Sequence, residues 1–342
     1  MKYTLLNCFT CLLLLISAFS CKTNEKLPAQ SLHPDGRYDS EFPDKSVSDK
    51  LNEISKTIKK LDCLVFYMTY VFPPGNNIQK ASITKENIKK LSMSADITNE
   101  SVSGTATVIY YDGKSVGLLT CSHVVDYPDT IYNWYNAEKT VLQSVSVKVR
   151  QQNYISGLPD GEPIEVLVLD TKNDIALLQK KLHPHIEQPA VFNYKSGSTR
   201  ELEWGTFVYI MGYPLGNLMV TRAIVSNPDK SRNGSFLTDA LYNKGISGSP
   251  VFALRDGVPN FEWIGMAKSA AAGNFIYLLP DENLVDVVNI RNPYKGEVYV
   301  NKKLDINYGV TFSVTIEAIG KFIKKNRELI EKAGMNAEEM MP

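Results

Sequence analysis

Thr238-Asp239-Ala240-Leu241-Tyr242-Asn243-Lys244-Gly245-Ile246-Ser247-Gly248-Ser249-Pro250 is the stretch on which the reading of this chain turns. Taken alone it is a turn, since glycine, serine and proline cluster where a chain reverses. Glycines on both sides of Ser247 also allow a tight loop whose backbone N–H groups converge on one point, because no Cβ stands in the way. Whether the loop does more depends on two segments that precede it.

The first is Leu119-Thr120-Cys121-Ser122-His123-Val124-Val125, and the second is Asn173-Asp174-Ile175-Ala176-Leu177-Leu178. A single histidine beside apolar strand residues is more often structural than chemical, and an aspartate at the mouth of a strand is ordinarily a turn residue. Together with Ser247 they make a stronger pattern. Acyl transfer at neutral pH needs a hydroxyl nucleophile, a base for its proton, and a carboxylate that fixes the imidazole tautomer. It also needs N–H donors aimed at the developing oxyanion. Side chains this far apart in sequence meet only through the fold.

In these segments the chain resembles the trypsin-like serine proteases, and specifically the bacterial HtrA/Deg protease domain. The resemblance rests on Leu119-Thr120-x-x-His123-Val124-Val125, on Asn173-Asp174-Ile175-Ala176-Leu177-Leu178 and on the run from Thr238 to Pro250. Gly205 to Gly216 resembles the family's glycine-proline segment, and Arg222–Ser226 and Tyr308–Phe312 match weaker positions near its specificity pocket. It covers about residues 100–325 and implies two packed six-stranded antiparallel β-barrels with the site in the cleft between them. It also implies a serine endopeptidase acting through an acyl-enzyme: Ser247 as nucleophile, His123 as general base and acid, Asp174 orienting His123, and the amides of Gly245 and Ser247 as oxyanion hole. Ser249 is then not the nucleophile.

By motif position Leu241 falls at the base of the pocket for the residue before the scissile bond, where an apolar group favours apolar or small side chains. Lys268 is a second pocket residue in this reading. Ile246 departs from the family, which has a polar residue there. In zymogen-type trypsins an aspartate at that place pairs with a freed N-terminus, a route that Ile246 argues against. Beyond the closing helix there are too few residues for the PDZ domain that many HtrA/Deg proteins carry.

Independently of the resemblance, the texture is all-β. Short apolar runs separated by turn signals follow Gly104, with strand candidates from Thr105–Tyr111 and Val116–Thr120 to Val310–Val314. Helical spacing of Val47, Leu51, Ile54, Ile58 and Leu61 predicts an amphipathic helix over 47–61. A strand is expected over Leu64–Phe72 and a polar, helix-containing insertion over 78–100. The stretch Asp126–Pro163 reads as holding an inserted loop, with a strand candidate at Val141–Arg150. A closing helix carrying Ile316, Ile319, Phe322, Ile323 and Ile330 is expected against the second barrel.

The 342 residues suffice for a sizeable core, and 37 basic residues balance 37 acidic ones, which argues against a nucleic-acid partner. Lys2 followed by an apolar run from Leu5 to Phe19 reads as a secretory signal over 1–20, too short for the roughly 20 apolar residues of a membrane span. Cys21 stands where a bacterial lipoprotein is acylated, so residues 21–46 read as a lipid-anchored tether and 47–342 as the protease domain. The expected location is the cell envelope. Lys22 favours the outer membrane, with protein or peptide substrates, a role in envelope protein processing or quality control, and homo-oligomers as the resemblance implies. No cofactor or metal is expected: Cys63 and Cys121 make at most one disulfide, and His183-Pro184-His185 reads as a solvated loop. Two rivals stand. One is a protease-like binding module without catalysis. An α/β-hydrolase esterase would need Gly-x-Ser-x-Gly and the order Ser, Asp, His, which the chain lacks.

Overall fold

Alternation decides the first strand. Leu61, Cys63, Val65 and Tyr67 are buried while the residues between them are half-buried, the two-residue period of a strand packed on one face. In the computed structural model, which describes residues 34–43, 45–158, 164–183, 187–228, 234–280, 294 and 296–341, these residues lie in β1 (Ile58–Val71). The helix expected over 47–61 is therefore shorter. Helix α1 spans Ser48–Ser55, and Ile58 and Leu61 belong to the strand. Thr57 marks the change: its hydroxyl donates to the Ile54 carbonyl at 2.7 Å, closing the last turn. The β-branched pair Thr57-Ile58 then favours extended backbone.

β1 sits inside a seven-stranded antiparallel sheet that curls into a half-barrel. Its order is β4 (Thr130–Trp134), β5 (Leu142–Ile155), β1, β2 (Ser94–Tyr111), β3 (Ser115–Thr120), β7 (Ile175–Lys181), β6 (Glu165–Asp170). The second layer is a closed six-stranded barrel. Around it run β10 (Ser235–Thr238), β13 (Val298–Thr315), β12 (Phe261–Pro280), β11 (Pro250–Leu254), β8 (Phe207–Gly212) and β9 (Met219–Asn227), with β9 pairing back to β10. The all-β, two-layer architecture is the one expected, with seven strands rather than six in the first layer. Within Asp126–Pro163 the strand expected at Val141–Arg150 overlaps β5, which forms a hairpin with β4 and pairs with β1 along Leu61–Val71.

The polar stretch over 78–100 holds only a short helix α2 (Ile88–Leu91) before β2 begins at Ser94. The first ten residues of β2 are all exposed and pair with β1. A strand with neither face in a core shows no alternation, which is why its sequence does not announce it.

Strands β8 and β11 are apolar throughout because both their faces are covered. Val208, Ile210, Val251 and Ala253 point into the closed barrel. Phe207, Tyr209, Phe252 and Leu254 point the other way, into a core shared with Val108, Leu118 and Leu177 of the first sheet and with the fully buried Trp263. That shared core holds the two layers together.

The C-terminal segment is two helices, α4 (Ile316–Lys325) and α5 (Arg327–Lys332), parted at Asn326. Thr315 caps α4 by accepting from the Ala318 amide. α4 packs on β12 and β13, as expected. The tail beyond it reaches the first sheet: Gln179 Nε2 donates to the Ala333 carbonyl at 2.9 Å, and Met335 and Met340 cover Gly117. At the other end, part of the expected tether belongs to the folded unit Arg37–Pro342. Tyr38 is buried, donates to Glu262 Oε2 at 2.8 Å, and lies under the Arg255 guanidinium. Arg255 Nε and Lys195 Nζ complete the ion pairs of this buried carboxylate, at 3.0 and 2.7 Å. Residues 1–33, with the expected signal and Cys21, lie outside the described residues.

The sheets are also joined by one fully buried polar residue at the inner part of β2, Thr105. Its amide donates to the Ser247 carbonyl at 2.8 Å and its carbonyl accepts from Thr120 Oγ1 at 2.7 Å. Its hydroxyl donates to the Gly245 carbonyl at 2.7 Å and accepts from the Tyr213 amide at 2.9 Å. Thr105→Val keeps the shape but strands both of those buried groups, so urea unfolding is expected to show a loss of about 1–3 kcal/mol. Thr105→Ser should retain most of that stability. Equal stability of the valine variant and the parent would refute the joint.

Candidate functional site

Two neighbouring strands bring the histidine and the aspartate together. Thr120, the last residue of β3, is paired with Ala176 of β7. The residues just past those ends, Ser122-His123 on one chain and Asp174 on the other, are therefore side by side. Helix α3 (Ser122–Val125) turns His123 toward the cleft, and Val124 rests on Gly104, where any Cβ would come within 2.7 Å of it. Asp174 closes the β6–β7 hairpin with φ of 60°, a left-handed conformation that aspartate tolerates better than most residues. Asn173 before it is tied twice to the Asp170 carboxylate.

The result is a connected set of hydrogen bonds. Asp174 Oδ2 lies 2.8 Å from His123 Nδ1, while Oδ1 accepts from the His123 amide and from Ser122 Oγ, both at 2.9 Å. His123 Nε2 lies 2.9 Å from Ser247 Oγ. Asp174 and Ser247 are buried, whereas the His123 side chain is 44% exposed, so the imidazole forms the open wall of the cleft. Burial pushes the Asp174 carboxyl up, but the bonds and charge of His123 with the Ser122 hydroxyl outweigh it and hold the group below the ordinary aspartate value. An ionised Asp174 at Nδ1 keeps the proton there and leaves Nε2 as an acceptor toward Ser247.

The serine loop is held in shape by glycine conformations and by burial. Gly245 has φ of 103° and a Cβ there would lie 2.2 Å from the Tyr213 carbonyl oxygen; at Gly248, φ 91°, it would lie 2.0 Å from that of Thr105. Neither site admits another residue without a shift. Ile246 is 1% exposed and packs in the interior of the closed barrel, so an apolar anchor seats the loop without any charge pair. Full burial of such a side chain is worth about 1.5–3 kcal/mol. The Ile246 amide donates to Asn243 at 3.2 Å, whereas those of Gly245 and Ser247 donate to no acceptor among the described residues. Ser249 is fully buried, consistent with its not being a nucleophile.

The sequence reading missed a third group at Ser247. Tyr242 is buried, and its hydroxyl makes a short hydrogen bond with Ser247 Oγ and lies 3.3 Å from the Lys268 carbonyl oxygen. Ser247 Oγ itself is 3.2 Å from that carbonyl. Burial, partly offset by the bond to Ser247, pushes the Tyr242 phenol up to about 12, so it stays protonated and neutral. Of the residues expected at the pocket, Leu241 is 63% exposed, because burial alternates here: Ala240 is buried, Leu241 faces out and Tyr242 is buried. Lys268 reaches the site through its backbone carbonyl. Alternation about the buried Ala240 was the signal that could have identified Tyr242.

One group of potential metal donors occurs among the described residues: Cys121 Sγ, His123 and Asp174, mutually within 4.8 Å. These donors are committed elsewhere. Both Asp174 oxygens already accept hydrogen bonds, and burial pushes the Cys121 thiol well above its ordinary value. Cys63 and Cys121 are both free and buried. Of the pair His183 and His185, the second lies outside the described residues.

Among solved structures, a serine endoprotease from Yersinia pestis is similar at 14% identity, covering 86% of this chain and 69% of that one, with a TM-score of 0.41. A scabies mite inactivated protease paralogue shows 10% identity, covering 86% of this chain and 96% of that one, at 0.36. Kallikrein-related peptidase 10 in complex with Zn2+ shows 10%, covering 75% and 93%, at 0.30. No curated protein matches the sequence. The more direct finding comes from family models: over residues 104–260, a span that contains His123, Asp174 and Ser247, the chain matches the trypsin-like peptidase domain.

Proposed function

We propose that the protein is a serine endopeptidase in which Ser247, His123 and Asp174 act as a catalytic triad. The observation that carries this reading is the unbroken chain of hydrogen bonds from Asp174 through His123 to Ser247 Oγ. Ser247 Oγ attacks the carbonyl carbon of the substrate peptide while His123 Nε2 takes its proton. Asp174 stays ionised, holds the imidazole tautomer and offsets the charge that forms on it. The tetrahedral oxyanion is stabilised by the amides of Gly245 and Ser247. His123 returns the proton to the leaving amine, and water repeats the sequence to release the acyl group from Ser247. We extend the reading to an HtrA/Deg-like envelope protease acting on proteins or peptides, lipid-anchored at Cys21 and assembling with copies of itself.

One observation favours the second reading, a protease-like binding module: the Tyr242 hydroxyl bonded to the nucleophilic oxygen. The two readings separate on covalent labelling with a fluorophosphonate, the modified peptide being located by mass spectrometry. Label on Ser247 is expected in the parent. It should be absent in Ser247→Ala and slowed about a thousandfold or more in His123→Ala. A well-folded parent that takes no label would favour the binding module.

The Asp174 carboxyl makes a second prediction. Because its folded value is depressed, the unfolded chain binds more protons in acid, and the stability it contributes is lost as pH falls through that value. Urea unfolding between about pH 5 and pH 3 should therefore lose stability less steeply in Asp174→Asn than in the parent. Identical slopes would contradict the assignment. The anchor is tested separately in cells given an alkyne fatty acid, where incorporation should vanish in Cys21→Ser.

A further inference from the structure

Ser247 Oγ is approached on several sides by polar atoms: His123 Nε2 at 2.9 Å, the Lys268 carbonyl at 3.2 Å and the Tyr242 hydroxyl. With Nε2 as acceptor, the Ser247 proton goes to it, and the phenol donates to Ser247 Oγ or to Lys268. A substrate carbonyl carbon must come within about 3–3.5 Å of that oxygen, along whatever direction these groups leave open.

The placement of the tyrosine ring decides what else fits. Its Cα lies in the segment before the serine loop, while its hydroxyl touches the β12 backbone at Lys268. The ring therefore bridges that segment and β12, directly beside Ser247 Oγ. Its base is fixed. Ala240, two residues earlier, is buried and its carbonyl accepts from Thr311 Oγ1 of β13 at 2.8 Å. The outward neighbour Leu241 cannot exchange places with Tyr242 without flipping the alternation that buries Ala240.

We propose that the ring of Tyr242 fills the recess beside Ser247 that would otherwise receive the side chain of the substrate's acyl residue, restricting that residue to glycine or alanine. The inference rests on the endopeptidase reading and goes further by naming the substrate class. A neutral ring in the recess offers no charge to pair with lysine or arginine, and no volume for a branched or aromatic side chain.

The test uses the full-length protein with fluorogenic peptides that differ only in the residue before the cleaved bond: glycine, alanine, valine, leucine, phenylalanine or lysine. The parent should favour glycine and alanine over leucine and phenylalanine by at least about tenfold in kcat/KM. Tyr242→Ala should raise cleavage after leucine or phenylalanine about tenfold or more relative to alanine. Tyr242→Phe keeps the ring and should keep the preference for small residues; if it does not, the hydroxyl rather than the ring is responsible and the proposal fails. Tyr242→Val replaces the alanine variant should the latter not fold. A parent that cleaves after leucine as readily as after alanine overturns the proposal without any variant. So does a Tyr242→Ala protein that labels at Ser247 yet keeps the parental profile. Fluorophosphonate labelling separates the two readings: no label in either protein sinks the endopeptidase reading and this inference with it. Label in Tyr242→Ala alone replaces the size filter by complete closure.

Discussion

Every hydrogen-bonding group of Thr105 is spent on holding two sheets and one loop in register. Its amide and hydroxyl grip the carbonyls of Ser247 and Gly245, its carbonyl takes the hydroxyl of Thr120, and its oxygen satisfies the amide of Tyr213. Thr120 ends the strand that leads into His123, so the same contact positions both His123 and Ser247. Apolar burial between the layers supplies most of the attraction but little direction. The buried polar joint supplies direction, since a one-residue slip would strand several groups away from water.

The site inherits its rigidity from this joint. Asp174 has a ring nitrogen, a backbone amide and a serine hydroxyl around one carboxylate, so the charge is buried but fully answered. On the opposite side of the cleft the serine loop is held by Ile246 in the barrel interior and by glycines whose φ values no other residue adopts cheaply. Burial of an apolar side chain needs no new chain terminus and no proton.

Tyr242 complicates that picture in an informative way. It is held by the same interior cluster as Ile246, yet its polar end emerges at Ser247 Oγ. A residue that belongs to the core at one end and touches Ser247 at the other ties the surroundings of that oxygen to barrel packing.

Much of this was legible in the amino-acid order. The loop with Ser247, the strand ends with His123 and Asp174, and the all-β texture are local patterns, because glycine placement, turn chemistry and apolar runs act over a few residues. The exposed half of β2 was not, since a stretch of strand without a buried face carries no period to read. The switch from helix to strand at Thr57 was hidden because Ile54, Ile58 and Leu61 keep helical spacing across the boundary. By itself the sequence determined which side chains could do chemistry and the class of fold able to gather them. Only the tertiary structure decided that Tyr242, rather than Leu241, faces the serine, that Lys268 meets it through its carbonyl, and that residues from Arg37 onward belong to the folded unit. Those outcomes depend on which face of a segment meets another segment far along the chain, and no local pattern encodes that choice.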